Sequence, residues 1–251
     1  MTQHPGFDAR LACLLDHRGL DAQELADRAG STAEEVRAVL AGKNPGDALL
    51  RRLGPALGFH ATDLFILAGL AVPDDLAPLD ATTAQWTAST VTAAARLPAA
   101  RRHELLRLIR SLPQEQRRSG FTPRPLLPLP GGPGTWLIRM LQYRNLNWTG
   151  MARALASVTP TYLSAATYGL IGSGRKEPTP RLVTDFATVL GIDACELAAL
   201  TGVPLREVPP PPSPEGVDAA ALLWEARQLS PVQARHVSEL VCSMREDSPA
   251  G

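Results

Sequence analysis

The chain has 251 residues, a formal net charge of zero at pH 7, and apolar and charged fractions of 45% and 20%. This composition is ordinary for a globular protein. Because the chain has no net positive charge, any nucleic-acid binding would have to depend on locally basic surfaces. The length exceeds the common size of one domain, so we expect two domains.

The first half of the chain predicts five short helices and then two longer ones. Strand signals are almost absent, and apolar residues recur with a helical period. The short helices are predicted at about 7–18, 22–29, 33–41, 47–57 and 62–69, and the longer amphipathic helices near 81–96 and 98–118. Capping boxes mark three helix starts along the whole chain, at Asp21 with Glu24, Thr32 with Glu35 and Asp193 with Glu196.

The second half repeats this order after a segment rich in proline and glycine, which is interpreted as a semi-rigid linker. Its helices are predicted at about 135–145, 147–156, 160–168, 180–190, 194–201, 216–228 and 231–246. Three of them begin where a capping residue precedes a proline at the first helical position, at Thr159-Pro160, Thr179-Pro180 and Ser230-Pro231.

A long internal period therefore divides the chain. The two halves are offset by roughly 130 residues, which indicates duplicated domains and not a solenoid. The first unit is predicted over 1–121, with a five-helix part (7–70) and a helical hairpin (81–118). A linker follows at 122–134, and the second unit covers 135–251, with corresponding parts at 135–203 and 216–246.

The hairpins carry apolar stripes that must be buried somewhere. Leu105 and Ile109 lie on one stripe, and Val237 and Val241 lie on the other. Each hairpin could pack on its own five-helix part. Alternatively, the hairpins could pack on one another or on a second chain, which makes a homodimer through the hairpins a candidate assembly.

Nothing in the sequence predicts catalysis, a metal or a cofactor. The histidines are scattered, and no nucleophile–base pair or pair of carboxylates is evident, so the chain is predicted not to be an enzyme. Cys13, Cys195 and Cys242 are interpreted as small buried residues of a reduced protein. No signal peptide or membrane-spanning stretch is evident, which predicts a cytoplasmic protein without a membrane partner.

Both five-helix parts resemble the lambda-repressor/Cro-type helix-turn-helix (XRE) family. The matching segments in the first half include Arg18-Gly-Leu-Asp, Glu24-Leu-Ala, Ala29-Gly30 and Gly42-Lys-Asn-Pro45. Those in the second half include Arg144-Asn-Leu-Asn, Val158-Thr-Pro-Thr-Tyr-Leu-Ser-Ala165 and Val189-Leu-Gly-Ile192. The resemblance implies an all-α fold of two five-helix, lambda-repressor-like DNA-binding units, each followed by a helical hairpin. It also implies a bacterial, sequence-specific transcription regulator whose partner is double-stranded DNA.

The resemblance assigns the main reading surface to the second unit, because the segment beginning at Val158 is similar to the start of a family recognition helix. Arginine and lysine outnumber acidic residues between 131 and 181, whereas acidic residues predominate before residue 80. Base contacts are expected from Thr159, Thr161, Tyr162, Ser164 and Ala165. Phosphate contacts are expected from Arg144, Arg153, Arg175, Lys176 and Arg181. A weaker reader in the first unit would use Thr32, Glu34, Arg37 and Lys43.

Two other functions remain open. Zero net charge and the carboxylates of Glu34 and Glu35 favour a helix-turn-helix scaffold repurposed as a protein–protein interaction module. A regulator that senses a small ligand between its hairpins is a third hypothesis, for which the sequence offers no ligand-specific residue.

Overall fold

A computed structural model describes residues 5–126 and 131–246, and within these ranges the chain is all-α, without a strand. Residues 127–130 of the predicted linker lie outside the described part. The helices of the first half are α1 (Phe7–Arg18), α2 (Ala22–Ala29), α3 (Ala33–Leu40), α4 (Asp47–Ala56), α5 (Ala61–Leu67), α6 (Ala84–Ala94) and α7 (Ala99–Ser111). Short 3-10 turns at Asp74–Leu76 and Ala81–Thr83 precede α6.

The second half contains seven further α-helices within the described ranges. They are α8 (Pro133–Tyr143), α9 (Trp148–Val158), α10 (Ala165–Gly172), α11 (Pro180–Leu190), α12 (Ala194–Thr201), α13 (Pro214–Ala226) and α14 (Pro231–Glu246). None of the helices in 5–126 and 131–246 has the length and apolarity needed to cross a bilayer.

Most predicted helix starts are confirmed because their caps are local. The carboxylate of Asp21 accepts from the N–H groups of Gln23 and Glu24, and the hydroxyl of Thr32 accepts from the N–H of Glu35. Both boxes are closed by the returning glutamate. The third box is only half formed, because Asp193 caps α12 while the carboxylate of Glu196 binds Arg18 instead.

Two helix predictions are wrong. The helix expected near 98–118 ends at Ser111, because Pro113 restricts the residue before it to extended backbone. The helix expected at 160–168 begins only at Ala165.

The same helix pairings recur in both halves. In the first half α2 packs against α3 and α4, α4 packs against α5, and α1 packs against α3. In the second half α9 packs against α10 and α11, α11 packs against α12, and α8 packs against α10. The halves also contact each other reciprocally, because α1 packs against α12 while α5 packs against α8.

A buried ion pair joins the two halves. The carboxylate of Asp63, on α5, accepts two hydrogen bonds from the guanidinium of Arg144, which follows α8, at 2.6 and 2.8 Å. Both side chains are almost completely buried. A second contact places the guanidinium of Arg10 over the ring of Trp136 at 3.8 Å, with one N–H donated to the carbonyl of Leu67.

The hairpins pack on one another within the chain. α6 and α7 lie against α14 and α13, and the stripe residues Leu105, Ile109, Val237 and Val241 are buried there. The apolar faces that motivated a homodimer are therefore used inside one chain. The two hairpins also pack against the five-helix part of the second half, since α6 packs on α9 and α13 packs on α11. In the first half, α2 and α4 have no comparable contact with the hairpins.

The interpretation of the cysteines as buried residues is wrong, since none of the three is buried. Cys13 and Cys242 are exposed, and Cys195 is partly exposed near the start of α12. All three are free thiols.

Candidate nucleic-acid interface

The connection between α9 and α10 is an extended segment and not the start of a helix. Thr159 has extended backbone angles (φ −135°, ψ 161°) and ends α9, and its hydroxyl donates to the carbonyl of Leu155 at 2.8 Å. A residue before proline is restricted to this region, so Thr159 cannot continue the helix. The predicted helix start at Thr159-Pro160 is therefore wrong, and the role of Thr159 as a base reader loses its geometric basis.

The prediction that Thr161 contacts a base is also wrong. Its side chain is buried, and its hydroxyl donates to the carboxylate of Asp185 on α11. Burial raises the pKa of Asp185, and the hydrogen bond from Thr161 opposes that rise by stabilising the ionised form. Thr161 is thus a tether that holds the segment against α11, and it cannot reach a base.

The remaining predicted readers lie at the surface around the first turn of α10. Tyr162 exposes 89% of its side chain, which is unusual for a large aromatic residue. Ser164 is the N-cap residue of α10, is exposed, and lies 3.0 Å from the hydroxyl of Thr167 (oxygen to oxygen). Ala165 is half-buried at the first helical position.

A groove of about 530 Å³ lies between the end of α6, the outer face of α9 and the 162–165 segment; we call it the α9–α10 groove. Two guanidinium groups line it, from Arg96 and Arg153, and no carboxylate does. Its remaining lining residues are Thr92, Thr149, Ala152, Ala156, Ser157, Tyr162, Leu163, Ser164 and Ala165.

Further cations follow α10. Arg175, Lys176 and Arg181 are exposed, and Glu177 is the one acidic residue between them. They follow a buried helix end, because Leu170, Ile171 and Gly172 belong to α10 and Ile171 is buried where α10 packs on α8.

The predicted phosphate contact from Arg144 is wrong. Its guanidinium has no exposed surface and is committed to Asp63 and to the carbonyl of Leu190. A buried arginine paired with a carboxylate supports the packing of the two halves and is closed to an external phosphate.

The corresponding turn of the first half is well formed but acidic. Thr32, Glu34, Arg37 and Lys43 are all exposed, as a weaker reader requires. The backbone N–H of Thr32 and, more weakly, the guanidinium of Arg52 lower the pKa of Glu35, and Glu34 adds a second carboxylate to the first turn of α3. These charges repel phosphate, and Arg37, Lys43 and the Arg52 that pairs with Glu35 oppose them only in part.

Arg96 is a cation of the groove that the sequence did not indicate. It follows α6 in the first hairpin, more than fifty residues before α9, and only the packing of α6 on α9 places it in the groove. No spacing rule in the sequence could have found it.

Among residues 5–126 and 131–246, no cluster of histidine, cysteine, aspartate or glutamate has a metal-binding arrangement. No protein-family model matches the chain, and no match is found among curated proteins or solved structures.

Proposed function

We propose that this protein is a sequence-specific, double-stranded-DNA-binding transcription regulator whose second half supplies the main contact surface. The observation that carries the proposal is the α9–α10 groove, in which Arg96 and Arg153 stand beside the exposed Tyr162 without a carboxylate among the lining residues. Phosphate contacts from arginine dominate DNA affinity, and a neighbouring carboxylate would cancel them.

Each part of this surface has a chemical role in the proposal. Arg96, Arg153 and the 175–181 cations would hold the phosphates on either side of α10. Tyr162 and Ser164 would contact base edges or sugars, because a phenol and a hydroxyl can each donate and accept hydrogen bonds. The first turn of α10 adds N–H groups that face an approaching anion.

The recurring helix pairings support two lambda-repressor-like, five-helix units within the proposal. The reciprocal packing of α1 on α12 and of α5 on α8 is what a pseudo-twofold relation between such units produces. If both units read DNA, the chain acts as a repressor dimer would, with half-sites about 34 Å apart. The acidic first turn of α3 makes its unit the weaker of the two.

The direct test is selection of bound duplexes from a random library by the full chain, followed by anisotropy titration of the selected duplex. Charge reversal in the groove (Arg96→Glu with Arg153→Glu) is expected to abolish the selected binding, because it replaces attraction with repulsion. The matched control is Arg107→Glu with Arg118→Glu, which reverses two exposed arginines outside the groove. Absence of any selected sequence, or equal affinities for both variants, would contradict the proposal.

A protein-interaction module is the second candidate, and one observation favours it. The best-formed helix-turn-helix arrangement in the chain, α2 with α3, exposes Glu34 and Glu35 where a DNA reader would present cations. The partner in that case would be a basic protein surface. If a basic protein partner is bound, and if Glu34→Lys abolishes that binding while Arg153→Glu leaves it unchanged, the result would support this candidate over DNA binding.

A further inference from the structure

A second cavity lies on another part of the molecule, beneath Val208 and the proline run at 209–212; we call it the proline-roofed cavity. It has a volume of about 590 Å³, within the range of about 300–1,000 Å³ that is typical of ligand pockets. Its walls come from α11, the start of α12 and α13, with His60 from the first half and Arg110 from α7. The cavity therefore lies where both five-helix parts and both hairpins meet.

Small side chains keep this space open. Ala187 on α11 and Ala221 on α13 line it, and Ala220 packs directly on Gly191, where a Cβ atom would lie 3.2 Å from the Ala220 methyl carbon. Helices α11 and α13 approach closely at Gly216, where a Cβ atom would lie 2.6 Å from a methyl group of Thr188, so a larger residue there would push them apart.

The floor is a pair of stacked rings with free polar atoms. The imidazole of His60 and the indole of Trp224 lie parallel, with centroids 3.4 Å apart. Burial and the neighbouring cations Arg144 and Arg227 lower the pKa of His60 to about 2, so its ring is neutral at physiological pH. Neither ring donates or accepts a hydrogen bond with a side chain or backbone group in the described ranges, although both line the cavity.

The charges around the cavity are already paired or used. Arg110 donates to the carboxylate of Glu225 at 2.9 Å, and Asp193 caps the N–H groups of Cys195 and Glu196. No cation in the lining is left for an anionic ligand.

Behind the floor, positive and negative charges balance. The guanidinium of Arg227 lies 3.3 Å from the Trp224 ring centroid and that of Arg144 lies 4.8 Å from it. Together with Arg110, these cations are matched by three carboxylates, of Asp63, Asp193 and Glu225. No net charge therefore favours an anionic or a cationic ligand.

Two lining residues also expose apolar surface. Val208 and Val217 are 84% and 54% exposed, although both edge the cavity. An apolar occupant would bury this surface, and burial of apolar area is the general driving force for such binding. We infer that the proline-roofed cavity binds a small, uncharged, predominantly apolar ring compound that accepts or donates one hydrogen bond at the His60–Trp224 pair.

The binding test uses a matched pair of dyes and the full chain. N-Phenyl-1-naphthylamine is uncharged, and 8-anilinonaphthalene-1-sulfonate is the same ring skeleton with a sulfonate. Fluorescence titration is expected to show saturable binding of the uncharged dye at one site and at least about tenfold weaker binding of the sulfonate, for which the lining has no unpaired cation. Equal or tighter binding of the sulfonate would overturn the assignment.

The three free cysteines locate the bound dye. Cys195 lines the cavity, whereas Cys13 and Cys242 are exposed elsewhere and serve as internal controls. With the uncharged dye at about ten times its Kd, alkylation of Cys195 by N-ethylmaleimide should slow roughly tenfold, with both controls unchanged. Unchanged alkylation of Cys195 while the dye is bound would overturn the assignment. So would protection that depends on protein concentration without dye, since a second copy would then be the occupant.

A filled cavity gives an independent check. Ala221→Phe places a ring in the space, and Ala199→Phe makes the same change on a partly exposed helical alanine outside it. Loss of dye binding in the first variant only, with cooperative thermal unfolding in both, is the expected result. Retained binding in Ala221→Phe would contradict the assignment.

Discussion

The two helix-turn-helix connections of this chain begin from similar sequence signals and end in different structures. Between α2 and α3 the turn spans only residues 30–32, and Thr32 caps the next helix through a closed capping box. Between α9 and α10 the connection spans residues 159–164, and Thr159 ends the preceding helix instead of starting the next. A threonine at the expected cap position therefore does not by itself start a helix.

The difference lies in what each threonine region contacts. The first turn is held by local bonds, together with Arg52, which donates to the carbonyl of Gly30 at 2.8 Å. The second is pulled onto α11 by the bond from Thr161 to Asp185. The first connection is thus sharp and acidic, while the second is extended, exposes Tyr162 and borders a cationic groove.

The largest expected effect is on stability and concerns the buried ion pair that joins the two halves. Asp63→Ala removes the carboxylate from a buried pair and leaves the guanidinium of Arg144 uncompensated. The free energy of unfolding should fall by about 3–5 kcal/mol. Urea denaturation measures the change.

The matched control for this pair is Glu196→Ala, since the Arg18–Glu196 pair also joins the halves but is partly exposed. Its loss should cost about 1 kcal/mol or less. Equal losses in the two variants would show that the Asp63–Arg144 pair is not the main ionic link.

The next largest effect is on DNA affinity, and it compares substitutions beside the two turns. Arg153→Glu with Arg175→Glu should lower the affinity for a selected duplex roughly 100-fold at 0.1 M salt and reduce the salt slope by about 2. Arg37→Glu with Lys43→Glu makes the same charge change beside α3 and should have a much smaller effect. Anisotropy titrations over a salt series measure the affinity and the salt slope of both variants. A larger affinity loss for the Arg37/Lys43 variant would place the main DNA contact in the first half.

A smaller effect tests the tether. Thr161→Val keeps the volume but leaves the carboxylate of Asp185 without its hydrogen bond, which should cost about 1–3 kcal/mol at pH 7. Because burial already raises the pKa of Asp185, the ionised form is the costly one in the folded state. The loss should therefore be largest above the folded pKa and should shrink as the pH falls toward 4.

Asp185→Asn is the control for that pH dependence, because an amide does not ionise. In the Asp185→Asn background, Thr161→Val should give a loss that is the same at pH 4 and pH 7. A pH-independent loss in the wild-type background would mean that the carboxylate is not responsible.

The smallest effect tests the caps. Thr32→Ala should destabilise the protein by about 1 kcal/mol, because an N-cap hydroxyl is lost from α3. Thr159→Ala should cost less, since that hydroxyl donates to the carbonyl of Leu155 and accepts from the N–H of Thr161, but it caps no helix N-terminus. Thermal unfolding of the two variants, measured side by side, distinguishes them, and equal losses would argue that Thr159 caps a helix after all.

Local signals predicted most of the helices, whereas the contacts that shape the candidate site are long-range. Asp21, Thr32 and Thr179 act within three residues of their own helix starts, so the sequence alone placed α2, α3 and α11 correctly. The bond from Thr161 to Asp185 spans 24 residues, and the pair between Asp63 and Arg144 spans 81. Neither follows from periodicity or capping, and so the start of α10 and the burial of Arg144 were missed.

Hydrogen exchange of the full chain, with and without a selected duplex, compares the two turns in one experiment. The proposal predicts slower amide exchange in peptides covering 149–167 on binding, and little change in peptides covering 22–40. Protection confined to 22–40, or none in either region with the duplex bound, would contradict a DNA interface at the α9–α10 groove.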